Sequence, residues 1–406
     1  MMSNRDPGLD LLRNEFPHPA RTSIRPLIQD LSTENIADLA VRAQQLSDVI
    51  PLWYGEGDLV TPDFIRDAAK SALDEGMTFY IPNMRGLPAL SEALADYQTT
   101  LHGVSIGIER STVAPGGMQA LLMALSLIVD LGQNVVYAEP QWPNIRNLIH
   151  FAGAEPRPVP LQLVDGEWTL DMEAIRAACD ARTRAIVFST PSNPTGWVAT
   201  RQDLEALLAF GRERGIWIIS DEVYNRLYFS GEAAPSILQI ATSEDLVMTI
   251  NSFSKAWAMT GWRVGWLTHP SSVAPELAAM AQYMNSGTAG FVQAGALAAI
   301  RQGESIAIEM RDRCRNGVDL AYEALSEVDA IRLPNKPKGG MYAFFSIEGE
   351  NDSSVACRTL LETTRVGLAP GYMFGRASQA FLRMCICRNP EQLKIALERI
   401  GETLQR

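Results

Sequence analysis

Five short apolar runs, at residues 134–138, 185–190, 216–220, 246–251 and 263–268, punctuate the middle of this chain at intervals a helix can fill. Two of them, Ala-Ile-Val-Phe-Ser and Ile-Trp-Ile-Ile-Ser, are apolar almost throughout instead of alternating. Such strands are covered on both faces, the habit of parallel sheets. Between them, 171–179 and 201–215 carry helical patterns. Strand–helix alternation predicts an α/β unit with a mostly parallel sheet flanked by helices, joined by right-handed crossovers.

The C-terminal third has a different rhythm. Residues 305–325 predict a long charged helix, and 340–347 and 381–386 predict strands. Asn389-Pro390-Glu391 opens a last helix, with Asn as cap and Pro in the first turn. Its apolar stripe is Leu393, Leu397, Ile400 and Leu404. The expected organisation is a large domain over 51–300 and a small α+β domain formed by 1–50 with 301–406. At 406 residues, two such domains fit the length.

Charge narrows the function classes. Lys plus Arg number 35 against 47 Asp plus Glu, a net of −12, so no basic footprint for nucleic acid is expected. The five cysteines, Cys179, Cys314, Cys357, Cys385 and Cys387, form no C-x-x-C pair, and the four histidines form no H-E-x-x-H. Neither a disulfide framework nor a metal site is expected, and a cytoplasmic setting fits. The first 16 residues are too charged for a secretory leader. The apolar run 120–129 is about half a membrane span and reads as a core helix, so no membrane partner is expected.

The chemistry concentrates at strand ends. Lys255 closes Asn251-Ser252-Phe-Ser-Lys255, after an apolar run, and Arg263 follows in Gly-Trp-Arg-Val-Gly. A lysine at the end of a buried strand is costly unless it is paired or used. Desolvation lowers its pKa and frees an amine able to form a Schiff base. Asp221 ends Ile-Trp-Ile-Ile-Ser-Asp221-Glu-Val-Tyr224, and Asn193 sits in the turn Ser-Asn193-Pro-Thr-Gly196 after another run. In a parallel sheet the carboxyl ends of the strands form the ligand crevice, so these residues are expected at one edge. Pro115-Gly116-Gly117-Met118 precedes the apolar helix, a setting in which free backbone N–H groups can hold an anion.

Together, Ser-Asn193-Pro-Thr-Gly, Ser-Asp221-Glu-Val-Tyr224, Ser-Phe-Ser-Lys255 with Arg263, and Phe-Leu-Arg383-Met resemble the class I/II aminotransferases of the aspartate aminotransferase family, fold-type I enzymes of pyridoxal 5′-phosphate. The likeness runs from about Leu52 to the C-terminus. It implies an amino acid:2-oxo acid transaminase with ping-pong kinetics and a Lys255 Schiff base. Asp221 would pair with the pyridine nitrogen, and Asn193 and Tyr224 with the ring oxygen. Arg263, Ser252 and the backbone of Gly116, Gly117 and Met118 would hold the phosphate, and Trp142 would stack on the ring. Many relatives carry a hydroxyl or lysine where Met118 stands. Gly55 and Arg383 would meet the substrate, Arg383 as a bidentate partner of the α-carboxylate. Tyr80 matches a tyrosine that reaches the neighbouring subunit's phosphate, implying a homodimer with the active site at its interface.

The stretch 280–286 offers no Arg or Lys for a distal carboxylate, and Trp53, Tyr54 and Trp142 suggest a partly aromatic pocket, so a neutral or apolar donor is expected. The same scaffold also supports β-elimination and cyclisation of the kind that forms 1-aminocyclopropane carboxylate. A remote alternative is a serine hydrolase, since Gly103-Val-Ser105-Ile-Gly107 fits G-x-S-x-G, with Asp221 and His269 following. The helix expected before it and the polar residues after it are the wrong frame for a nucleophile elbow.

Overall fold

The computed structural model describes residues 36–405, together with Arg25 and Ile28. The rest of the N-terminal segment assigned to the small domain, and residues 1–16, lie outside the described residues. Seven strands build the large sheet: β1 (Ser111–Ala114), β2 (Asn134–Glu139), β3 (Glu155–Pro160), β4 (Thr183–Ser189), β5 (Trp217–Asp221), β6 (Val247–Ser252) and β7 (Gly265–Thr268). Their order is β1-β7-β6-β5-β4-β2-β3, parallel from β6 to β3, with β7 antiparallel to both neighbours. The five apolar runs correspond to five of these strands within two residues at each end. The link from β6 to β7 holds one helical turn, Phe253–Ala256, and a 3₁₀ turn. That is too little to cross a sheet face, so the chain returns antiparallel.

Helices cover both faces of the sheet. Gly117–Ile128 packs on one side against Val135, Val187, Ile219 and Leu267. Arg201–Arg214 packs on the other, placing Leu204, Leu207 and Phe210 over Ile186 and Ile218. Each fully buried leucine of this kind contributes about 2–3 kcal/mol. Thr200 and Asp203 form a reciprocal capping box that starts the second of these helices.

A second, four-stranded antiparallel sheet contains β8 (Ile331–Arg332), β9 (Tyr342–Ile347), β10 (Ala369–Pro370) and β11 (Phe381–Cys385), in the order β8-β9-β11-β10. Helices Glu304–Ser326, Ser353–Thr364 and Pro390–Leu404 pack on it around Val318, Leu325, Leu360, Phe345, Leu382, Leu393 and Ile400. Asn389 caps the last helix by accepting from the Glu391 and Gln392 amides, as its sequence predicts. Leu52 joins this second core, Ile50–Pro51 pairs in parallel with Val366–Gly367, and the Cys385 amide of β11 donates to the Leu52 carbonyl at 2.8 Å.

Candidate active site

Where the carboxyl ends of the parallel strands face the second sheet, a cleft of about 550 Å³ opens. Its lining includes Gly55, Gly117, Met118, Trp142, Asn193, Asp221, Tyr224, Ser252, Lys255, Arg263 and Arg383. Eleven of the thirteen sequence candidates therefore meet in one place. Gly116 lies just behind the lining, against Arg263. Tyr80 does not reach the cleft and is 81% exposed.

Lys255 follows β6 by three residues, on the single helical turn whose cap is Ser252. Its Nζ donates to the Gly55 carbonyl at 2.5 Å and lies 5.7 Å from the centre of the Tyr224 ring. Burial lowers its pKa from the usual 10.5 to about 8, the nearby Cys385 thiol opposing and the Arg383 guanidinium reinforcing the shift. At pH 7 about a tenth of the amine is then unprotonated, against roughly one part in three thousand for an ordinary lysine. Capture of an aldehyde by the apoprotein should therefore quicken about tenfold per pH unit up to about pH 8 and then level off. Stopped-flow absorbance of imine formation across pH 6–9 checks this; a rate still climbing tenfold per unit at pH 9 would mean a solvated lysine.

Asp221 ends β5 at the floor of the cleft. Its Oδ1 accepts from the Val223 amide at 3.3 Å and its Oδ2 from Ser189 Oγ at 3.3 Å. Burial still raises its pKa to about 6, so the carboxylate is short of a positive partner. Ser189 is a site residue the motifs did not single out; its position at the end of β4, next to β5, was the available signal.

At the other end, Gly116 and Gly117 start the helix Gly117–Ile128 with no side-chain cap. Gly116 has φ 89°, and a Cβ there would lie 2.5 Å from Arg263 Nη2, so only glycine fits the cradle. Arg263 itself adopts a left-handed backbone, φ 52°, at a cost of roughly 1–2 kcal/mol. Its Nη1 donates to the Thr260 carbonyl at 2.7 Å. Arg263, uncapped amides and the Ser252 and Ser254 hydroxyls form a donor set suited to a phosphate dianion.

Arg383, on β11, is 3% exposed and takes part in no ion pair among the described residues. Nη1 donates to Asn193 Oδ1 at 2.8 Å and Nη2 to the Trp53 carbonyl, while Nε has no partner. The guanidinium lies between the rings of Tyr342, at 4.4 Å, and Phe374, at 4.7 Å. A buried cation held flat with donor capacity to spare is built to receive an anion.

The lining between these ends suits a ligand with an anion for the glycine turn, a flat ring beside Trp142, a positive group for Asp221 and a carbonyl for Lys255. Met373 and Phe374 complete the wall and come from a 3₁₀ turn, Gly371–Phe374, that carries no readable sequence signal. Trp53, expected in the pocket, is instead buried under Gly367, and only Tyr54 of that pair reaches the cleft. The hydrolase alternative does not assemble. Ser105 is exposed in the loop after helix Pro88–His102, outside the cleft that holds Asp221. Both nitrogens of His269 are engaged elsewhere, by Thr112 Oγ1 at 2.9 Å and the Pro270 carbonyl at 2.8 Å.

Residues 47–400 match the protein family described as aminotransferase class I and II. The chain is 32% identical to an aspartate aminotransferase of Pyrococcus horikoshii over 378 residues, covering 92% of this chain and 95% of that protein. It is 31% identical to aromatic-amino-acid aminotransferase 2 of Thermococcus litoralis, covering 93% and 97%. Among solved structures, an aspartate aminotransferase of Thermotoga maritima superposes with a TM-score of 0.87 at 29% identity, covering 94% of this chain and 100% of that one. All three relatives are aminotransferases, which gives the elimination and cyclisation alternatives no support.

Proposed function

This chain belongs to the class I and II aminotransferases and is a pyridoxal 5′-phosphate-dependent transaminase, and from that premise we propose that its amino-group transfer runs in the Lys255 cleft, with the roles that follow. The observation that carries the proposal is the meeting of a desolvated lysine amine, a buried carboxylate and an unpaired buried arginine within one cleft. When bound, the cofactor supplies an electron sink for negative charge at the substrate α carbon. Lys255 Nζ would hold the cofactor covalently. Once free, Nζ would be the base that moves the proton at the substrate α carbon. Asp221 would keep the ring nitrogen protonated, which would also give its own carboxylate the positive partner that the buried site lacks. Tyr224 and the amide nitrogen of Asn193 would donate to the ring oxygen. Asn193 Oδ1 is already committed to Arg383, which orients the amide. Arg263, Ser252, Ser254 and the amides of Gly116, Gly117 and Met118 would hold the phosphate. Trp142, in the cleft lining, would cover the ring and exclude water.

Arg383 takes the substrate α-carboxylate beside Gly55, where a Cβ would overlap the Tyr342 hydroxyl. Arg383→Ala is expected to lower kcat/KM by about 10²–10³-fold, mostly through KM, as loss of a buried charge partner does. Steady-state kinetics reads this; an unchanged KM would make the arginine structural.

The side-chain subsite supports a neutral donor with a large apolar or aromatic side chain. Its wall is Tyr54, Met118, Trp142, Met373 and Phe374, and the three cations of the lining, Lys255, Arg263 and Arg383, all have roles already. A panel of amino donors, with 2-oxoglutarate and pyruvate as acceptors, tests both the reaction and this preference. Aromatic and large aliphatic donors should exceed aspartate by about tenfold or more in kcat/KM. Aspartate as best donor would overturn the preference, and keto-acid release without amine transfer would overturn the reaction.

The same reading extends to assembly and setting. Phe79, Tyr80 and Tyr283, each more than four-fifths exposed, support a homodimer whose partner tyrosine completes the phosphate site. Five free thiols support a cytoplasmic location. Among the described residues no helix is long and apolar enough to cross a membrane. The two sheets support a division into residues 51–300 and a closing unit of 1–50 with 301–406, which carboxylate binding at Arg383 would draw onto the cleft.

A further inference from the structure

We propose that Tyr342 is a positioning residue that, through Tyr224, sets how tightly the lysine-linked cofactor holds its proton. The proposal rests on the reading above that Tyr224 faces the cofactor ring oxygen. Tyr342 belongs to none of the sequence motifs, yet it is almost fully buried and lines the cleft. Its hydroxyl lies 2.7 Å from that of Tyr224, its one hydrogen-bond partner among the described residues. A phenol has one proton to give. With the proton of Tyr224 directed at the ring oxygen, the proton between the two hydroxyls must come from Tyr342. A hydroxyl that accepts a hydrogen bond donates its own proton more strongly. Tyr342 therefore strengthens Tyr224 as a donor and favours the ionised ring oxygen. That lowers the pH at which the lysine-linked cofactor loses its proton.

The fold holds this pair rigidly. Tyr342 opens β9 and pairs with Cys385 on β11. Just before it, the Gly340 amide donates to the Leu227 carbonyl at 2.8 Å and the Phe229 amide to the Lys338 carbonyl at 3.0 Å, fastening β9 to the segment that carries Tyr224. Gly55 packs against the hydroxyl with no space for a side chain. The charged and titratable groups facing the pair are Arg383, Asp221, Lys255, Cys385 and Cys314. Burial pushes the Tyr342 phenol up to about 12 and that of Tyr224 well above its usual range, so both keep their protons while the cofactor titrates. Arg383 needs only the ring of Tyr342 beneath it, 4.4 Å away, not the hydroxyl. The hydroxyl and the ring thus serve different partners.

Spectrophotometric titration of the holoenzyme separates them. Tyr342→Phe should raise the pKa of the lysine-linked cofactor by roughly half a unit, the effect of part of one neutral hydrogen bond, and leave KM for the amino donor within about twofold. Tyr342→3-fluorotyrosine keeps the shape and is a stronger donor, so it should move the titration the opposite way. Tyr224→Phe should raise the pKa by more, and adding Tyr342→Phe to it should change nothing further. A Tyr342→Phe titration that overlays the wild type while Tyr224→Phe shifts would overturn the relay, as would a shift that survives in the double variant. If Tyr224→Phe itself leaves the titration unmoved, the placement of Tyr224 at the ring oxygen fails, and the role of Tyr342 with it.

Discussion

Lys255→Ala should lower kcat/KM by about 10⁴-fold or more, because in the proposed mechanism it removes both the covalent anchor of the cofactor and the base that moves the α proton. The pocket gives no substitute. Among the described residues lining the cleft, the other cations are arginines, which stay protonated. Asp221 and Glu56 are carboxylates, and Glu56 is occupied by the Thr260 hydroxyl at 2.5 Å. The variant should still bind the phosphate end of the cofactor through Arg263 and the glycine turn. Borohydride treatment followed by mass spectrometry should then find no vitamer fixed to the chain. Substantial turnover in the variant, or an adduct on another side chain, would remove Lys255 from the mechanism.

Asp221→Asn should have the second largest effect, a fall in kcat of about 10³-fold with cofactor still bound, since the isosteric amide could not play the proposed part of keeping the ring nitrogen protonated. Stability should move differently. Burial raises the Asp221 pKa to about 6, above its unfolded value of 3.8. A raised carboxyl contributes stability that is present below about pH 4 and lost as pH rises through 6. At pH 7.5 the apoprotein bears that loss in full and the asparagine variant does not. Thermal melts of the two apoproteins at pH 7.5 should therefore show the variant at least as stable. A kcat close to wild type would end the electron-sink role; a markedly less stable apo variant would mean that the carboxylate is paired within the fold.

The parallel part of the large sheet is legible in sequence because strands buried on both faces leave continuous apolar runs. The strands that escape such reading have physical excuses. β3 carries Pro156, Pro158 and Pro160, which a sheet accepts only at its edge, where β3 lies. β1 spells Ser-Thr-Val-Ala and is too short and polar to signal itself. Lys255, Asp221 and Asn193 are legible because each follows an apolar run and so shares one edge. Met373 and Phe374 are not, because a 3₁₀ turn leaves no periodicity, and Tyr342 looks like any aromatic opening a buried strand. Trp53 and Tyr54 are adjacent in the chain but point to opposite sides, one into the core and one into the cleft, which a list of aromatic residues cannot tell.

Arg383 reaches back across 330 positions to the Trp53 carbonyl, and Lys255 across 200 to that of Gly55. On the ribosome, Lys255 emerges well before Tyr342 and Arg383 exist, and contacts this distant in sequence close late. A nascent chain therefore carries the amine without the enclosure that selects a ligand for it. Vitamin loading is then expected to follow completion of the tertiary structure, not to accompany synthesis.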